Sequence, residues 1–361
     1  MVCPKLLARV QRLCELLRHS ALDGLLVSDP ANIRFLTDFS GSWARLLVGV
    51  SGELLLIIDT RYLDQAAQEV AQCQIIAVNG TQQIPAICRA SKLLNPRKLG
   101  FEPGAISWWE QRAIESCLPR SCHFVAQGGQ VEELRLLKDK GDIADIRRAA
   151  QATDRAITEI IGAAELANSE QELRANLAAA LGRYGNGPSA FEPIVTSGPR
   201  TALIHAKPAA RKIVAGDLLL LDAGATHDGW CADVCRTVVV REVASELQRT
   251  VFTAVKEALI EAITAIRPGK SAAAVASAAR DTLAQHGFPL RHDLGHGIGL
   301  EVHEEPRIAI DSTAVLQAGM VVAVEPAVYL PGWGGIRLEE TVLVTQNGCE
   351  VLSCAPLALA I

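Results

Sequence analysis

Long uncharged apolar runs are missing from this sequence, which argues against a membrane-spanning helix of about 20 residues. A field of one charge sign is missing too. A net charge of −5 on 361 residues offers no basic surface for nucleic acid or an anionic membrane, so neither partner is expected and a peptide or other small substrate is. The ten cysteines are scattered without a CxxC pair and do not read as a disulfide framework in a chain this long. Cys231 and Cys235, the nearest spacing of interest, read as small buried hydrophobes. The opening "MVCPKLLARVQRLCELLRHS" carries charges every few positions and has no apolar h-region, so no secretory signal is expected and a cytoplasmic location is. No glycine-rich phosphate fingerprint follows a strand-like run, and there is no internal repeat or low-complexity tract.

What is present describes an ordinary globular chain, 49% apolar and 21% charged, whose length favours two domains over one very large core. Residues 6–19 have the spacing of an amphipathic helix, "GLLVS", "ELLLIID" and "KLGFE" read as strands, and "RYLDQAAQEVAQ" reads as a helix. That alternation predicts an α/β unit over residues 1–130, with "GTQQIPAI" and "FEPGAISWWEQ" as its turns. Residues 131–164 change to a long, charged, alanine-rich helical pattern, which sets the boundary within 131–140. Residues 131–361 then form the second domain. Helices are expected there over "SEQELRANLAAALGRYG" and near 245–266 and 271–286. Strands are expected over "DLLLLDAGA", "WCADVCRTVVV", "MVVAVEPAVYL" and "IRLEETVLVT".

Two of these segments place acids inside apolar runs. In "GDLLLLDAGATHDGWCADVCRTVVV" a turn at "THDG" makes an antiparallel hairpin, and a two-residue loop at His227 and Asp228 sets Asp222 opposite Asp233. In "VVAVEPAVYLPGWGGIRLEE" an odd-length loop centred near Gly332 brings Glu325 to Glu339. Like charges facing across strands repel unless a cation lies between them. Four carboxylates with a nearby imidazole suit a pair of divalent ions, and an oxygen-rich donor set with one nitrogen favours Mn²⁺, Co²⁺ or Zn²⁺. "RHDLGHGIGLEVHEEP" supplies the imidazole: His296 stands between Gly295 and Gly297, where backbones can approach closely.

The stretches "LDAGATHDGWCADVCRT", "LGHGIGLEVHEEP", "VEPAVYLPGWGGIRLEE" and "FEPIVTSGPRTALIHAKP" resemble the pita-bread metallopeptidases, the family of methionine aminopeptidases, Xaa-Pro aminopeptidases and prolidases. The amino-terminal stretches "DGLLVSDPANIRFLTDFSGSWARLLV" and "IIDTRYLDQA" resemble the creatinase/prolidase N-terminal domain, which methionine aminopeptidases lack. The resemblance implies an α+β chain, with a C-terminal pita-bread domain preceded by a smaller α/β domain. It implies Asp222, Asp233, His296, Glu325 and Glu339 as ligands of two divalent metals, Mn²⁺ ahead of Co²⁺ or Zn²⁺. A metal-bridging hydroxide would act with Glu325 as proton shuttle. His303 and His205 match histidines near the reacting carbonyl and the prolyl side. His292 matches a pocket-lining histidine, and Arg337 and Tyr329 match residues that orient a carboxylate. A homodimer is also implied.

The function expected from this resemblance is an Xaa-Pro aminopeptidase acting on peptides with proline in second place. A prolidase restricted to Xaa-Pro dipeptides is the nearest alternative, and a metal-free creatinase-like hydrolase or a non-catalytic peptide-binding module is a remoter one. Three positions depart from the family pattern: Ile204 where proline is usual, Glu340 where aspartate is commoner, and Asp38 where glycine is commoner. Asp38 and Trp43 lie in a loop that in relatives reaches a neighbouring subunit. His19, His123, His227 and His286 have no family match and read as surface or packing residues.

Overall fold

The computed structural model describes residues 4–359, and the chain divides after Arg135 into two compact units. The first opens with α1 (Pro4–His19), whose Leu6, Val10, Leu13 and Leu17 are buried at helical spacing. Then come β1 (Gly24–Val27), α2 (Pro30–Thr37), β2 (Ala44–Gly49) and β3 (Leu54–Asp59). They are followed by α3 (Leu63–Glu69), β4 (Gln74–Val78), α4 (Gln83–Leu94), β5 (Lys98–Phe101), α5 (Trp108–Cys117), β6 (His123–Ala126) and α6 (Gln130–Arg135). The strands make one sheet ordered β4-β3-β2-β1-β5-β6. Every residue of β1 and β3 is buried, which is why β1, and β3 as far as Ile58, are apolar without alternation.

Three details differ from the sequence reading. "GTQQIPAI" and "FEPGAISWWEQ", expected as turns, each run into a helix. α5 starts on a capping box formed by Ser107 and Glu110, and its first turn holds the exposed Trp108 and Trp109, so no apolar stripe marked it. The long helical pattern expected from 131 is two helices, α6 and α7 (Lys140–Ala163), separated where Asp139 caps α7. α6 stays with the first unit because Val131 and Leu134 are buried there and Arg135 donates to Asn32 Oδ1 at 2.7 Å. Finally, Cys88 on α4 and Cys117 on α5 are joined as a disulfide, a pairing between two helices that spacing along the chain does not reveal. Cys231 and Cys235 are buried free cysteines.

Asp38, where the family more often has glycine, caps α2 with φ 63°. That is the left-handed conformation glycine adopts freely and aspartate tolerates.

In the second unit α7 is followed by α8 (Glu170–Tyr184), β7 (Ile194–Ser197), β8 (Leu218–Ala223), β9 (Thr226–His227), β10 (Trp230–Cys231) and β11 (Val234–Val239). Two helices come next, α9 (Glu246–Ala265) and α10 (Ala272–Gln285). The remaining strands are β12 (Gly295–Gly297), β13 (Glu304–Ile308), β14 (Val321–Val324), β15 (Ala327–Leu330), β16 (Gly334–Arg337), β17 (Glu340–Val344) and β18 (Cys349–Val351). One sheet is ordered β11-β8-β7 and another β13-β12-β14-β17-β18. Leu219, Leu221, Val234 and Val238 pack on α7 and α8, while Val322, Val324, Val342 and Val344 pack on α9 and α10. Each sheet therefore turns one face to a helix pair. By the two-residue period of a strand, Asp222, Asp233, Ala323 and Thr341 belong to the opposite faces.

In the first unit the buried Glu102 carboxylate, at the end of β5, accepts from Ser28 N at 2.6 Å, Asp29 N at 2.8 Å and Asn32 Nδ2 at 2.7 Å. It thereby holds the start of α2 against the sheet. Glu102→Ala leaves two backbone N–H groups without an acceptor and is expected to cost about 3 kcal/mol, read as a lower urea midpoint. An unchanged midpoint in a folded variant would remove this role.

Candidate metal centre and active site

Asp222 ends the first arm of a hairpin whose turn is not where the sequence reading put it. Trp230 pairs with His227, and Cys235, rather than Asp233, stands opposite Asp222. The tight turn is Asp228-Gly229, both with positive φ (45° and 77°), the requirement of a type I′ turn and the reason Asp-Gly favours it. The one-place shift of the turn makes Asp222 and Asp233 diagonal rather than direct partners. They remain on one face.

The second hairpin has the expected register. Ala327 faces Arg337 across β15 and β16, and Val324 faces Glu340 across β14 and β17. Glu325 and Glu339 occupy the same register in the gap between the two ladders. His296 arrives on β12, paired with Ala323 of β14. A Cβ at Gly295 would collide with the Ala323 carbonyl, and one at Gly297 with the Glu305 carbonyl, so the strand that carries the histidine can be this close to both neighbours only with glycine on either side.

All five side chains line one cavity. Asp233, His296 and Glu339 each place a donor atom within 4.8 Å of the others. His296 Nε2 is 3.7 Å from Asp233 Oδ2 and 3.8 Å from Glu325 Oε1. Its Nδ1 lies 3.0 Å from the Gly297 carbonyl; a carbonyl only accepts, so Nδ1 carries the proton and Nε2 keeps its lone pair toward the acids. Burial pushes the His296 pKa down to about 4, keeping the ring neutral.

The acids are displaced the other way. Burial, then the charges of Asp222 and Glu325, holds Asp233 well above the usual carboxylate range. Burial, then Asp233, Glu325 and Asp222, does the same to Glu339. Glu325 is pushed up to about 8, chiefly by burial. Asp222 Oδ1, Asp233 Oδ1 and Glu339 Oε1 are buried without a hydrogen-bond partner. Orphaned anionic oxygens beside a neutral imidazole lone pair fit divalent cations, and the oxygen-rich set suits Mn²⁺-like ions.

Arg337, 2% exposed, is the Lys or Arg lining this cavity among the described residues. It donates from Nη2 to Asp222 Oδ2 and from Nη1 to the Tyr329 hydroxyl at 2.7 Å. His205 and His303 line the same cavity, the His303 ring edge-on to His296 at 4.3 Å between centroids. His292 stands apart from that lining. Its ring is 5.8 Å from that of Tyr329, and its Nε2 is buried without a partner. Phe191, Ile194 and Val302 form an apolar wall that the sequence reading did not single out, since isolated apolar residues carry no pattern. Arg236 was also missed. Fully buried, it donates to the Glu339 carbonyl at 2.6 Å, to Glu340 Oε1 at 2.7 Å and to the Ala355 carbonyl at 2.7 Å. Elsewhere, His227 meets Asp145, which Arg148 already neutralises, and His286 meets Glu257 on the surface.

Residues 144–346 match the metallopeptidase family M24, and residues 9–137 match the creatinase/prolidase N-terminal domain. The Xaa-Pro dipeptidase of Pyrococcus furiosus is 30% identical over 349 residues, which cover 96% of this chain and 97% of that protein. Among solved structures, an Xaa-Pro dipeptidase from Bacillus anthracis aligns with TM-score 0.94 at 32% identity, covering 99% of this chain and 100% of that one. An X-Pro aminopeptidase from Thermotoga maritima MSB8 aligns with TM-score 0.87 at 32% identity, covering 94% and 98%. The expected fold class, α+β with a C-terminal pita-bread domain preceded in the chain by a smaller α/β domain, agrees with these neighbours. In sequence and in structure over nearly its whole length, the chain belongs to metallopeptidase family M24 and carries a creatinase/prolidase N-terminal domain.

Proposed function

We propose that this metallopeptidase hydrolyses the bond between a peptide's first residue and a proline in second place. The carrying observation is the convergence of Asp222, Asp233, His296, Glu325 and Glu339 on one cavity with an apolar wall of Phe191, Ile194 and Val302. The five polar side chains would hold two divalent cations, with Mn²⁺ favoured. Bound there, the cations supply Lewis acidity toward the scissile carbonyl and make water a competent nucleophile near neutral pH.

The chain's own groups do the rest. Glu325, on the cavity wall beside the other acids and held ionised once cations are bound, can take a proton from the attacking water and return it to the departing proline nitrogen. His303 and His205, on the cavity wall, present ring N–H groups to the oxyanion that develops on the carbonyl. Tyr329 and Arg337 hold Asp222 in place. The apolar wall suits the pyrrolidine ring, whose tertiary amide offers no N–H to a strand-like grip.

An aminopeptidase that accepts longer peptides is the leading form of this proposal, because Arg337, the cation lining the cavity, is already engaged by Asp222 and Tyr329. A dipeptidase must bind a free carboxylate just past the proline. The names of the relatives from P. furiosus and B. anthracis favour that second form. A homodimer and a cytoplasmic location belong to the same proposal. No described helix is long and apolar enough to cross a membrane.

With Mn²⁺ restored to metal-stripped protein, cleavage of an Xaa-Pro-Yaa tripeptide is expected beside that of the Xaa-Pro dipeptide, with Glu325→Gln lowering kcat by at least about a hundredfold. Cleavage of the dipeptide alone would select the dipeptidase form, and cleavage of neither would sink the proposal. Thermal melts give a second check. Glu325, Asp233 and Glu339 have folded-state pKa values above those of the unfolded chain. The Glu325 contribution to metal-free stability is therefore fully present below about pH 4.5 and lost as pH rises through about 8, and those of Asp233 and Glu339 are lost in the same direction as pH rises. Metal-free protein should melt higher at pH 5 than at pH 8. Saturating Mn²⁺, which competes with protons for the same oxygens, should raise Tm most at pH 8. A Tm indifferent to Mn²⁺ at pH 8 would count against the metal assignment.

A further inference from the structure

We infer that Glu170 is a positioning residue for His205, an inference that rests on the reading of His205 as a group acting on substrate. Glu170 opens α8 and is completely buried. The helix does not need it as a cap, since Ser169 and Glu172 already form a capping box. Its carboxylate is spent on a different segment. Oε1 accepts from Ser197 N and from Ser197 Oγ, both at 2.9 Å. Oε2 accepts from Ala209 N at 2.8 Å, and Arg200 Nε lies 3.2 and 3.0 Å from the two oxygens. Ser197 and Ala209 bracket the loop that carries His205, so one carboxylate draws both ends of that loop to a single point.

The first half of the loop is a 3-10 turn, Gly198–Ala202, anchored by the buried Thr201, whose hydroxyl accepts from Gly335 N at 2.7 Å; the half that carries His205 has fewer restraints. Leu203, His205 and Lys207 are exposed, so His205 is not oriented by packing in a core. Around His205 the ties are turns from Leu203 N to the Arg200 carbonyl at 3.0 Å and from Ala206 N to the Leu203 carbonyl at 3.3 Å, a bond from Arg200 Nη2 to the Lys207 carbonyl at 2.7 Å, and one from Arg337 Nη1 outside the loop to the Ile204 carbonyl at 3.4 Å. Arg200 is itself gripped by Glu170. The position of an exposed imidazole on the cavity wall thus depends on a buried carboxylate at the far side of its loop. A small misplacement of a reacting group is worth up to about a hundredfold in rate.

Glu170→Gln replaces one acceptor oxygen by a donor that faces N–H groups. The expected result is a loss of tenfold or more in kcat/KM on an Xaa-Pro substrate, with Mn²⁺ content unchanged and faster limited trypsin cleavage after Arg200. In a His205→Ala background the same change should cost almost nothing further, because what it disturbs is already gone. Losses that multiply in the double variant, or cleavage after Arg200 no faster than in the parent, would overturn the inference. A His205→Ala variant with full activity would remove the reading of His205 itself, a distinct outcome. Should Glu170→Gln not fold, Arg200→Lys, at a partly exposed position, removes the guanidinium tie while leaving the backbone donors, and the same cycle with His205→Ala applies.

Discussion

Four carboxylates share one buried space in the second unit, and their mutual repulsion is the constraint around which that unit is arranged. Burial alone disfavours the ionised forms of Asp233 and Glu339, and each neighbour's charge adds to the cost. Apolar residues at these positions would give a more stable core, and the same strands supply them one residue away. Leu221 beside Asp222, Val234 beside Asp233 and Val324 beside Glu325 are fully buried. The strands therefore alternate between two tasks. One face glues each sheet to its helix pair, and the other delivers acids to a common point. The apolar face supplies the stability against which the strained face is held.

Holding repelling groups together also requires that the backbone not give way. Arg236 ties the Glu339 carbonyl to Glu340 and to the Ala355 carbonyl, while Asp154 on α7 accepts from the backbone of Cys354 and Ala355. β11, β17 and the segment near the C-terminus are thus pinned to one another directly behind the acid cluster. Glu340, standing where aspartate is commoner, is long enough to meet both Arg236 and the Ser353 hydroxyl. Asp233 N donates to Thr341 Oγ1 and its carbonyl accepts from the same hydroxyl. The acids lean on a lattice of neutral and paired groups, none of which faces the cavity.

How much of this was readable beforehand follows from what each feature needs. The strand runs and the acids within them are local patterns, and parity along a hairpin puts Asp222 with Asp233 and Glu325 with Glu339 whatever the loop, provided its length class is right. The register at Asp222 is displaced because the positive-φ demand of a type I′ turn selects Asp228 and Gly229 over His227 and Asp228. His296 was legible because its flanking glycines announce close backbone approach. Phe191, Arg236 and Glu170 were not legible. Their roles depend on partners dozens of residues away, and a single aromatic, arginine or glutamate in an amphipathic stretch looks the same whether or not it meets them. The helices α4 and α5 are hidden for a different reason: α4 has a proline in its first turn and no side-chain cap, while two exposed tryptophans mask the α5 start that Ser107 with Glu110 encodes.

The balance of charge argues for two cations rather than one. Arg337 brings a single positive charge to four acids, and its guanidinium is engaged with Asp222 and the Tyr329 hydroxyl, so it offsets one carboxylate and leaves three. One divalent ion would still leave the cluster negative by one, a poor host for a reaction whose transition state gains negative charge on the carbonyl oxygen. On the proposed reading two would leave it positive by one before the hydroxide nucleophile is counted and neutral with it, so negative charge gathering on the carbonyl oxygen would meet no net anionic field in a site of low effective dielectric. His296, kept neutral by burial, adds a donor atom without adding charge, where a fifth carboxylate would have cancelled the surplus. Four acids, one imidazole and one arginine would thus suit the proposed pair of divalent cations and an anionic transition state together.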